Sequence, residues 1–188
     1  MAADASRVGA SADAAAGRPG VVWHERPFDA LTPALLHGAL ALRAAVFVVE
    51  QHCVYQDPDP LDRAAVFLIG ETQGTVVATA RILPAGTRFA EPSIGRVCTA
   101  ASVRGGGLGE ALMREAIRVC RVRHPAAPIR ISAQAYLRAF YGRLGFATVS
   151  DEYLEDEIPH VEMLLPACDS RPPAIGRAQG TDTSGRAG

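Results

Sequence analysis

The stretch Val103-Arg104-Gly105-Gly106-Gly107-Leu108-Gly109-Glu110-Ala111-Leu112-Met113 joins an extended segment to a strongly helical one. Its four glycines leave the backbone without Cβ atoms, so that its N–H groups can approach a ligand closely. Because the helix is expected to begin near Gly107, these N–H groups have no partner within the helix and lie at the positive end of its dipole. We therefore expect the stretch to bind an anion such as a pyrophosphate.

Spacing excludes the two common phosphate-binding loops. A dinucleotide fingerprint, G-x-G-x-x-G, fails because its sixth position is Glu110 when counted from Gly105 and Leu112 when counted from Gly107. A nucleotide P-loop requires a lysine, and the sequence contains no lysine. Taken alone, the stretch leaves two alternatives open, namely a pyrophosphate loop of another kind and a glycine-rich turn that binds nothing.

Composition predicts one globular domain between two polar tails. The chain has 188 residues, 48% of them hydrophobic, which is enough for a sizeable core. Residues 1–20 and 168–188 are rich in small and polar residues, so we predict disordered tails, without a signal peptide, around a domain at 21–167. No apolar run is expected to reach the length that spans a membrane.

Charge and cysteine content exclude several classes of function. The net charge is −1, so neither nucleic acid nor a membrane surface is an expected partner, although all 19 basic residues are arginine. The four cysteines are far apart in sequence and form no cluster with histidine, which argues against a disulfide framework and a metal site. Reduced thiols in a cytoplasmic protein are the expected state.

Patterning along the chain predicts a mixed α/β fold in the order β-α-β-β-β-α-β-α-β-β. The predicted strands cover residues 21–24, 65–70, 75–83, 93–100, 129–133, 146–149 and 161–165, and the predicted helices cover 33–47, 107–123 and 135–144. An irregular loop is expected at 48–60 and an acidic connection at 151–157.

Two separate motifs resemble those of the GNAT superfamily of N-acetyltransferases. The hexapeptide 104–109 matches its pyrophosphate loop, [RQ]-x-x-G-x-[GA], and Phe140-Tyr141 followed by Gly145-Phe146 resembles its second recurrent segment. Five further stretches resemble the ElaA-like branch in the same order, namely Leu42 to Gln51, Tyr55 to Asp57, Gly95 to Val97, Ala133 to Ala135 and Ile158 to His160. One departure is Ala64-Ala65, where the branch is expected to carry a histidine, which removes a polar substrate contact there.

The resemblance implies a GNAT fold, with a mostly antiparallel mixed sheet and helices on both faces, and acetyl-CoA as co-substrate. Tyr141 would protonate the departing thiolate, a role for which a phenol is suitable. The strand before the glycine loop would bulge away from the next one, so that the pantetheine arm lies between them. The implied CoA-binding residues are Arg96, Val97, Cys98, Thr99, Arg104, Gly105, Gly106, Gly107, Leu108, Gly109, Gln134 and Tyr141.

The acceptor side is less determined. Glu50, His52 and His160 are candidates for the base that removes a proton from the amine, directly or through water. Each could equally be a solvated loop residue. Glu50 and the acidic connection are expected at the acceptor end of the cleft, away from the arginine-flanked glycine loop, where they would favour a cationic amine.

The sequence therefore predicts a cytoplasmic, metal-independent N-acetyltransferase, a monomer or homodimer, in which the amine attacks acetyl-CoA directly without a covalent enzyme intermediate. The alternative is a sensor or scaffold module that binds acyl-CoA but no longer turns it over. Retention of Tyr141 and of the intact loop favours the enzyme.

Overall fold

The computed structural model describes residues 20–168, so the predicted tails lie outside the described range except for Gly20 and Cys168. The strands are β1 (Val22–Pro27), β2 (Val66–Thr72), β3 (Thr75–Leu83), β4 (Ser93–Thr99), β5 (Ile129–Gln134), β6 (Ala147–Thr148), β7 (Tyr153–Glu155) and β8 (Ile158–Leu165). The α-helices are α1 (Pro33–Arg43), α2 (Leu108–Arg123) and α3 (Arg138–Arg143). Short 3₁₀ turns occur at Phe28–Ala30, Pro60–Ala64, Ala101–Val103 and Ala135–Leu137.

All the strands form one sheet in the order β1-β2-β3-β4-β5-β8-β6, with β7 also paired to β8. Every pairing is antiparallel except that of β4 with β5. Successive strand residues point to opposite faces, and on β2 Leu68 packs in the cluster that contains α2 whereas Phe67 and Ile69 pack in the cluster that contains α1. The predicted fold, a mostly antiparallel sheet with helices on both faces, is confirmed.

The connection between β6 and β8 differs from the prediction. It contains the additional strand β7, which forms a hairpin with β8, and β6 is only two residues long. The hairpin turn is Asp156-Glu157, and both residues are left-handed, with φ of 51° and 64°. Two-residue hairpin turns are usually predicted from a glycine at the second position. Asp156-Glu157 contains no glycine, so the sequence did not predict this turn.

The first helix also differs. Its α-helical part begins with Thr32 capping the N–H of Leu35 and ends at Arg43, and a π-helical segment then continues to Glu50. The N–H of Gln51 donates to the carbonyl of Val46, five residues earlier, at 3.2 Å. The spacing of apolar residues is too similar in α- and π-helices to predict this change over a few residues. Short π-helical segments often occur at functional sites.

One expectation about membranes is wrong. Pro33–Glu50 is an 18-residue helix of mean hydropathy 1.5, long and apolar enough to cross a membrane by length and composition alone. In the fold, however, this helix packs on the sheet through Ala39, Leu42 and Val46, and its central Arg43 is completely buried in ion pairs. Arg43 therefore makes its ion pairs inside the folded domain, where this helix packs on the sheet.

Candidate active site

A cavity of about 420 Å³ opens where β4 and β5 separate. The two strands pair in register only at Ser93 and Arg130. Beyond that point residues 94–99 of β4 and 131–134 of β5 line opposite parts of the cavity. The predicted separation of these strands is present in the structure.

A β-bulge shapes the β4 side of this cavity. Arg81 of β3 pairs with Gly95 and Thr79 pairs with Cys98, so that both Arg96 and Val97 lie opposite the single residue between them. Arg96 is left-handed, with φ of 49°. The extra residue interrupts the ladder, and the bulge lies one residue beyond Gly95.

The glycine loop has the backbone that anion binding requires. Gly105 and Gly107 are left-handed, with φ of 77° and 82°, and Gly107 is the N-cap of α2. The helix supplies no acceptor for the N–H groups of its first residues, 108–110. Gly109 lines the cavity, and a Cβ at this position would have no neighbour within 4 Å. The start of α2 thus has the backbone geometry of an anion-binding site.

Glu50 lines the cavity, but it is paired with an arginine of the glycine loop. Its carboxylate accepts two hydrogen bonds from Arg104, at 2.6 and 2.9 Å, while Arg104 also donates to the carbonyl of Thr99. The hydrogen bonds from Arg104 hold the pKa of Glu50 below its ordinary value. Glu50 therefore joins the π segment to the glycine loop, so the expected division between an acidic acceptor end and a basic CoA end does not hold for this pair.

Tyr141 lies on the cavity wall and is only 7% exposed. Its ring packs edge-on against Phe140 and Phe146, with centroids 5.0 and 6.0 Å away. Within residues 20–168 the structure records no hydrogen-bond partner for its hydroxyl group. Burial raises the pKa of Tyr141 to about 12. The phenol therefore keeps its proton at neutral pH.

Of the two candidate histidines, only His160 lines the cavity. Its Nδ1 lies 2.8 Å from the carbonyl oxygen of Ile158. A carbonyl oxygen only accepts hydrogen bonds, so in the neutral ring Nδ1 carries the proton and Nε2 presents a lone pair. The ring also stacks on Tyr153, with centroids 6.2 Å apart. His52, by contrast, is exposed and left-handed, with φ of 53°.

A polar cluster beside His160 was not predicted from the sequence. Glu155 accepts hydrogen bonds from Ser132, at 2.8 Å, and from Arg88, at 2.9 and 3.0 Å, and Ser132 also lies 2.7 Å from the Tyr153 hydroxyl. Burial tends to raise the pKa of Glu155, but Arg88, Ser132 and the nearby His160 together lower it.

These residues come from three separate segments, and no spacing in the sequence links them. Of the predicted acidic connection, only Glu155 and Asp156 line the cavity.

Among the other predicted CoA-binding residues, Arg96, Val97, Thr99 and Arg104 line the cavity, whereas Gly105, Gly106, Gly107 and Leu108 are not among its lining residues. Gln134 lines the cavity and donates to the side chain of Gln51 at 3.1 Å. Cys98 is buried on the cavity wall, and burial raises its pKa to about 12. Within residues 20–168 all four cysteines are free, and no three His, Cys, Asp or Glu side chains converge as metal ligands.

Comparisons with known proteins agree with this geometry. Residues 40–166 match the family described as "Acetyltransferase (GNAT) domain". The chain is 40% identical to a UPF0039 protein of Synechocystis over 144 residues, covering 76% of this chain and 94% of that one. It is 37% identical to protein ElaA of Escherichia coli over 145 residues, covering 76% and 95%.

Among solved structures, an acyl-CoA N-acyltransferase of Pseudomonas aeruginosa superposes with a TM-score of 0.74 at 39% identity, covering 77% of this chain and 99% of that one. The GNAT family uses acyl-CoA as co-substrate. This chain therefore belongs to the GNAT acetyltransferase family, in its ElaA-like branch.

Proposed function

We propose that this protein transfers an acetyl group from acetyl-CoA to a primary amine of a small molecule or peptide. The observation that carries the proposal is Tyr141, a nearly buried phenol on the wall of the cavity between β4 and β5, whose hydroxyl group has no protein partner among the described residues. A core tyrosine with a purely structural role usually satisfies its hydroxyl group by a hydrogen bond. This one is available to a ligand.

Acetyl transfer requires removal of a proton from the amine, stabilisation of an oxyanion and donation of a proton to a thiolate. His160 is suited to the first task because its Nε2 presents a lone pair in the neutral ring. The interrupted ladder at Arg96-Val97 provides backbone N–H groups for the second task. Tyr141, protonated at neutral pH, provides the third. When bound, acetyl-CoA supplies the activated acyl group.

Direct attack by the amine is favoured over a covalent acyl-enzyme. A thiol nucleophile acts as its thiolate. The pKa of Cys98, raised to about 12 by burial, keeps that thiol protonated at neutral pH. Glu50, a candidate base on the same cavity wall, is held in a two-point ion pair with Arg104. We therefore assign neither residue to covalent catalysis, and we assign the role of base to His160.

The acceptor is proposed to be a cationic amine. Glu155 and Asp156 line the same cavity as His160, and because Glu155 is ion-paired with Arg88, the proposed attraction rests mainly on Asp156. Such a field attracts an ammonium group and weakens with salt. The four free cysteines are consistent with the proposed cytoplasmic location.

The decisive experiment is an acceptor screen. Purified full-length protein is incubated with acetyl-CoA and polyamines, amino sugars, amino acids or peptides with free N-termini. We expect amine-dependent release of CoA together with an acetylated product, and no reaction of the matched quaternary ammonium compounds, which have no nucleophilic lone pair. Intact mass after incubation with acetyl-CoA alone should show no acylated enzyme. Stabilisation by acetyl-CoA without product from any amine would instead favour the binding module.

A further inference from the structure

Six charged side chains form a cluster beneath the cavity. They are Arg43, Arg81, Arg96, Asp57, Asp59 and Asp62. Arg43 has no exposed surface, and Arg81, Asp57 and Asp62 are at most 5% exposed. Burying charges carries a desolvation penalty that pairing often only balances. Stability alone is therefore a weak reason for this cluster.

Two members of the cluster, Arg81 and Arg96, line the cavity, and Arg96 belongs to its bulged strand. Arg96 is the left-handed residue of the β4 bulge. Backbone of this conformation is unfavourable for a residue with a Cβ atom and persists only where surrounding contacts impose it. The Arg96 side chain supplies such contacts.

Two aspartates hold that side chain. The Nη2 atom of Arg96 donates to Asp59 Oδ2 at 3.3 Å and to the carbonyl oxygen of Asp57 at 3.4 Å. Its Nε atom lies 3.0 Å from Asp57 Oδ1, an ion pair that lacks hydrogen-bond geometry. The guanidinium also lies over the ring of Tyr55, 5.6 Å from its centroid, and the Tyr55 hydroxyl donates to Asp57 at 3.0 Å. Arg96 is thus fixed from three directions.

The aspartates are themselves fixed by the buried arginines. Arg43 donates to the Asp57 carboxylate at 2.8 Å and to the Asp57 carbonyl at 3.1 Å. Arg81 donates to Asp59 at 2.6 Å. Asp62 receives hydrogen bonds from both Arg43 and Arg81 but is not bonded to Arg96. Through these contacts the aspartates connect Arg96, and with it the bulge, to α1 and β3.

We propose that Asp57 and Asp59 are positioning residues that hold the β4 bulge, through Arg96, in the conformation that aims its N–H groups into the cavity. The catalytic consequence rests on the acetyl transfer proposed above, because those N–H groups would stabilise the oxyanion. Donors aimed in advance cost no reorganisation during the reaction, and misplacement by about 1 Å can cost about 10²-fold in rate.

The test compares two Asp→Asn substitutions within the same cluster. Asp59→Asn keeps a residue that can cap the following 3₁₀ turn, as Asp59 does for the N–H of Leu61, but it weakens the tie to Arg96. We expect kcat to fall by roughly 10- to 100-fold while the KM for acetyl-CoA changes little. Asp62→Asn is the comparison variant: Asp62 reaches Arg96 only indirectly, through Arg43, Arg81 and the N–H of Asp59, so its loss should lower the melting temperature more and kcat less than Asp59→Asn does. An equal loss of kcat in both variants would overturn the proposal.

A double-mutant cycle keeps the test independent of whether Asp62→Asn folds. Arg96→Gly removes both the anchored side chain and the left-handed strain. If Asp59 acts through Arg96, then Asp59→Asn should lower kcat in the wild-type background and cause no further loss in the Arg96→Gly background. The same fold-loss in both backgrounds would refute the positioning role.

Amide hydrogen exchange over residues 93–99 supplies a readout that needs no acceptor. Exchange in this strand should be faster in Asp59→Asn than in wild type, and unchanged exchange would contradict the proposal. If the strand loosens as expected but wild-type protein acetylates no amine, the positioning role stands and the proposed function fails.

Discussion

Replacing Tyr141 with phenylalanine removes one hydroxyl group and leaves the ring in place. The edge-on contacts with Phe140 and Phe146 involve only the ring, and the hydroxyl group has no hydrogen-bond partner among residues 20–168. The variant should therefore fold with nearly wild-type stability. Loss of a general acid typically slows the chemical step by about 10²- to 10⁴-fold, which corresponds to a barrier higher by about 3–5 kcal/mol.

Single-turnover acetylation by rapid quench is the assay, because product release could otherwise hide the chemical step. Acetyl-CoA affinity, measured by thermal shift, should remain nearly unchanged. Tyr136→Phe is the matched control, since Tyr136 also lines the cavity but is 72% exposed. Single-turnover rates equal to wild type in Tyr141→Phe, or an equal loss in Tyr136→Phe, would refute the assignment of Tyr141 as the acid.

The pH dependence supplies a second check on Tyr141. Its pKa of about 12 in the folded protein exceeds the ordinary value of 10. Between these values the folded state binds more protons than the unfolded state, so the contribution of Tyr141 to stability is complete below pH 10 and is lost as pH rises toward 12. Tyr141→Phe should reduce the fall in unfolding free energy between pH 10 and pH 12, measured by urea unfolding at a series of pH values. If the unfolding free energy falls equally steeply with pH in both proteins, the burial argument is contradicted.

Three further predictions concern the glycine loop, Glu50 and Cys98. A hundredfold excess of acetyl-CoA over its dissociation constant should stabilise the protein by about 2.7 kcal/mol, and Gly107→Asp should abolish this shift in calorimetry because it places a carboxylate and a strained φ at the N-cap; equal shifts would remove the loop from the binding site. Glu50→Gln breaks the ion pair that holds Arg104, so it should raise the KM for acetyl-CoA roughly two- to fivefold, and it should raise the KM for the acceptor less. If initial-rate kinetics show the larger increase in the KM for the acceptor, Glu50 belongs to the acceptor side. Burial raises the pKa of Cys98 to about 12 and that of Cys120 to about 11, so the unfolding free energy should fall as pH rises above about 9. Cys98→Ala should make this fall less steep, and equal slopes of unfolding free energy against pH in the two proteins would refute the contribution of Cys98.

Local patterns predicted the elements whose signals are themselves local. α2 begins at Leu108 and ends at Arg123, close to the prediction, because glycines precede it and its apolar residues recur at helical spacing. The hairpin of β2 and β3 was equally accessible because its turn is Gln73-Gly74, both left-handed. The Asp156-Glu157 turn has the same backbone without the glycine, and β7 was therefore missed.

Features that depend on distant contacts were not accessible. Asp57, Asp59 and Asp62 occur in a segment rich in proline and aspartate that resembles an exposed loop, and two of them are almost fully buried against arginines from α1 and β3. Glu50 and Arg104 are 54 residues apart, and no periodicity links them. The motifs led to some of the residues that line the cavity, such as Tyr141 and Gln134, whereas the ion pairs of Glu50 and Glu155 could be seen only in the structure.

The basic residues of this protein are all arginine, and this affects how its ion pairs tolerate acetyl-CoA. Acetyl-CoA is an acylating reagent, and a lysine amine is a potential target whenever it loses its proton. A guanidinium stays protonated at any ordinary pH and is not deprotonated in proteins. The buried cluster and the Glu50–Arg104 pair therefore retain their charge however long the protein is exposed to its proposed co-substrate. Since the sequence contains no lysine, intact-mass measurements with acetyl-CoA have no background of acetylated lysine side chains.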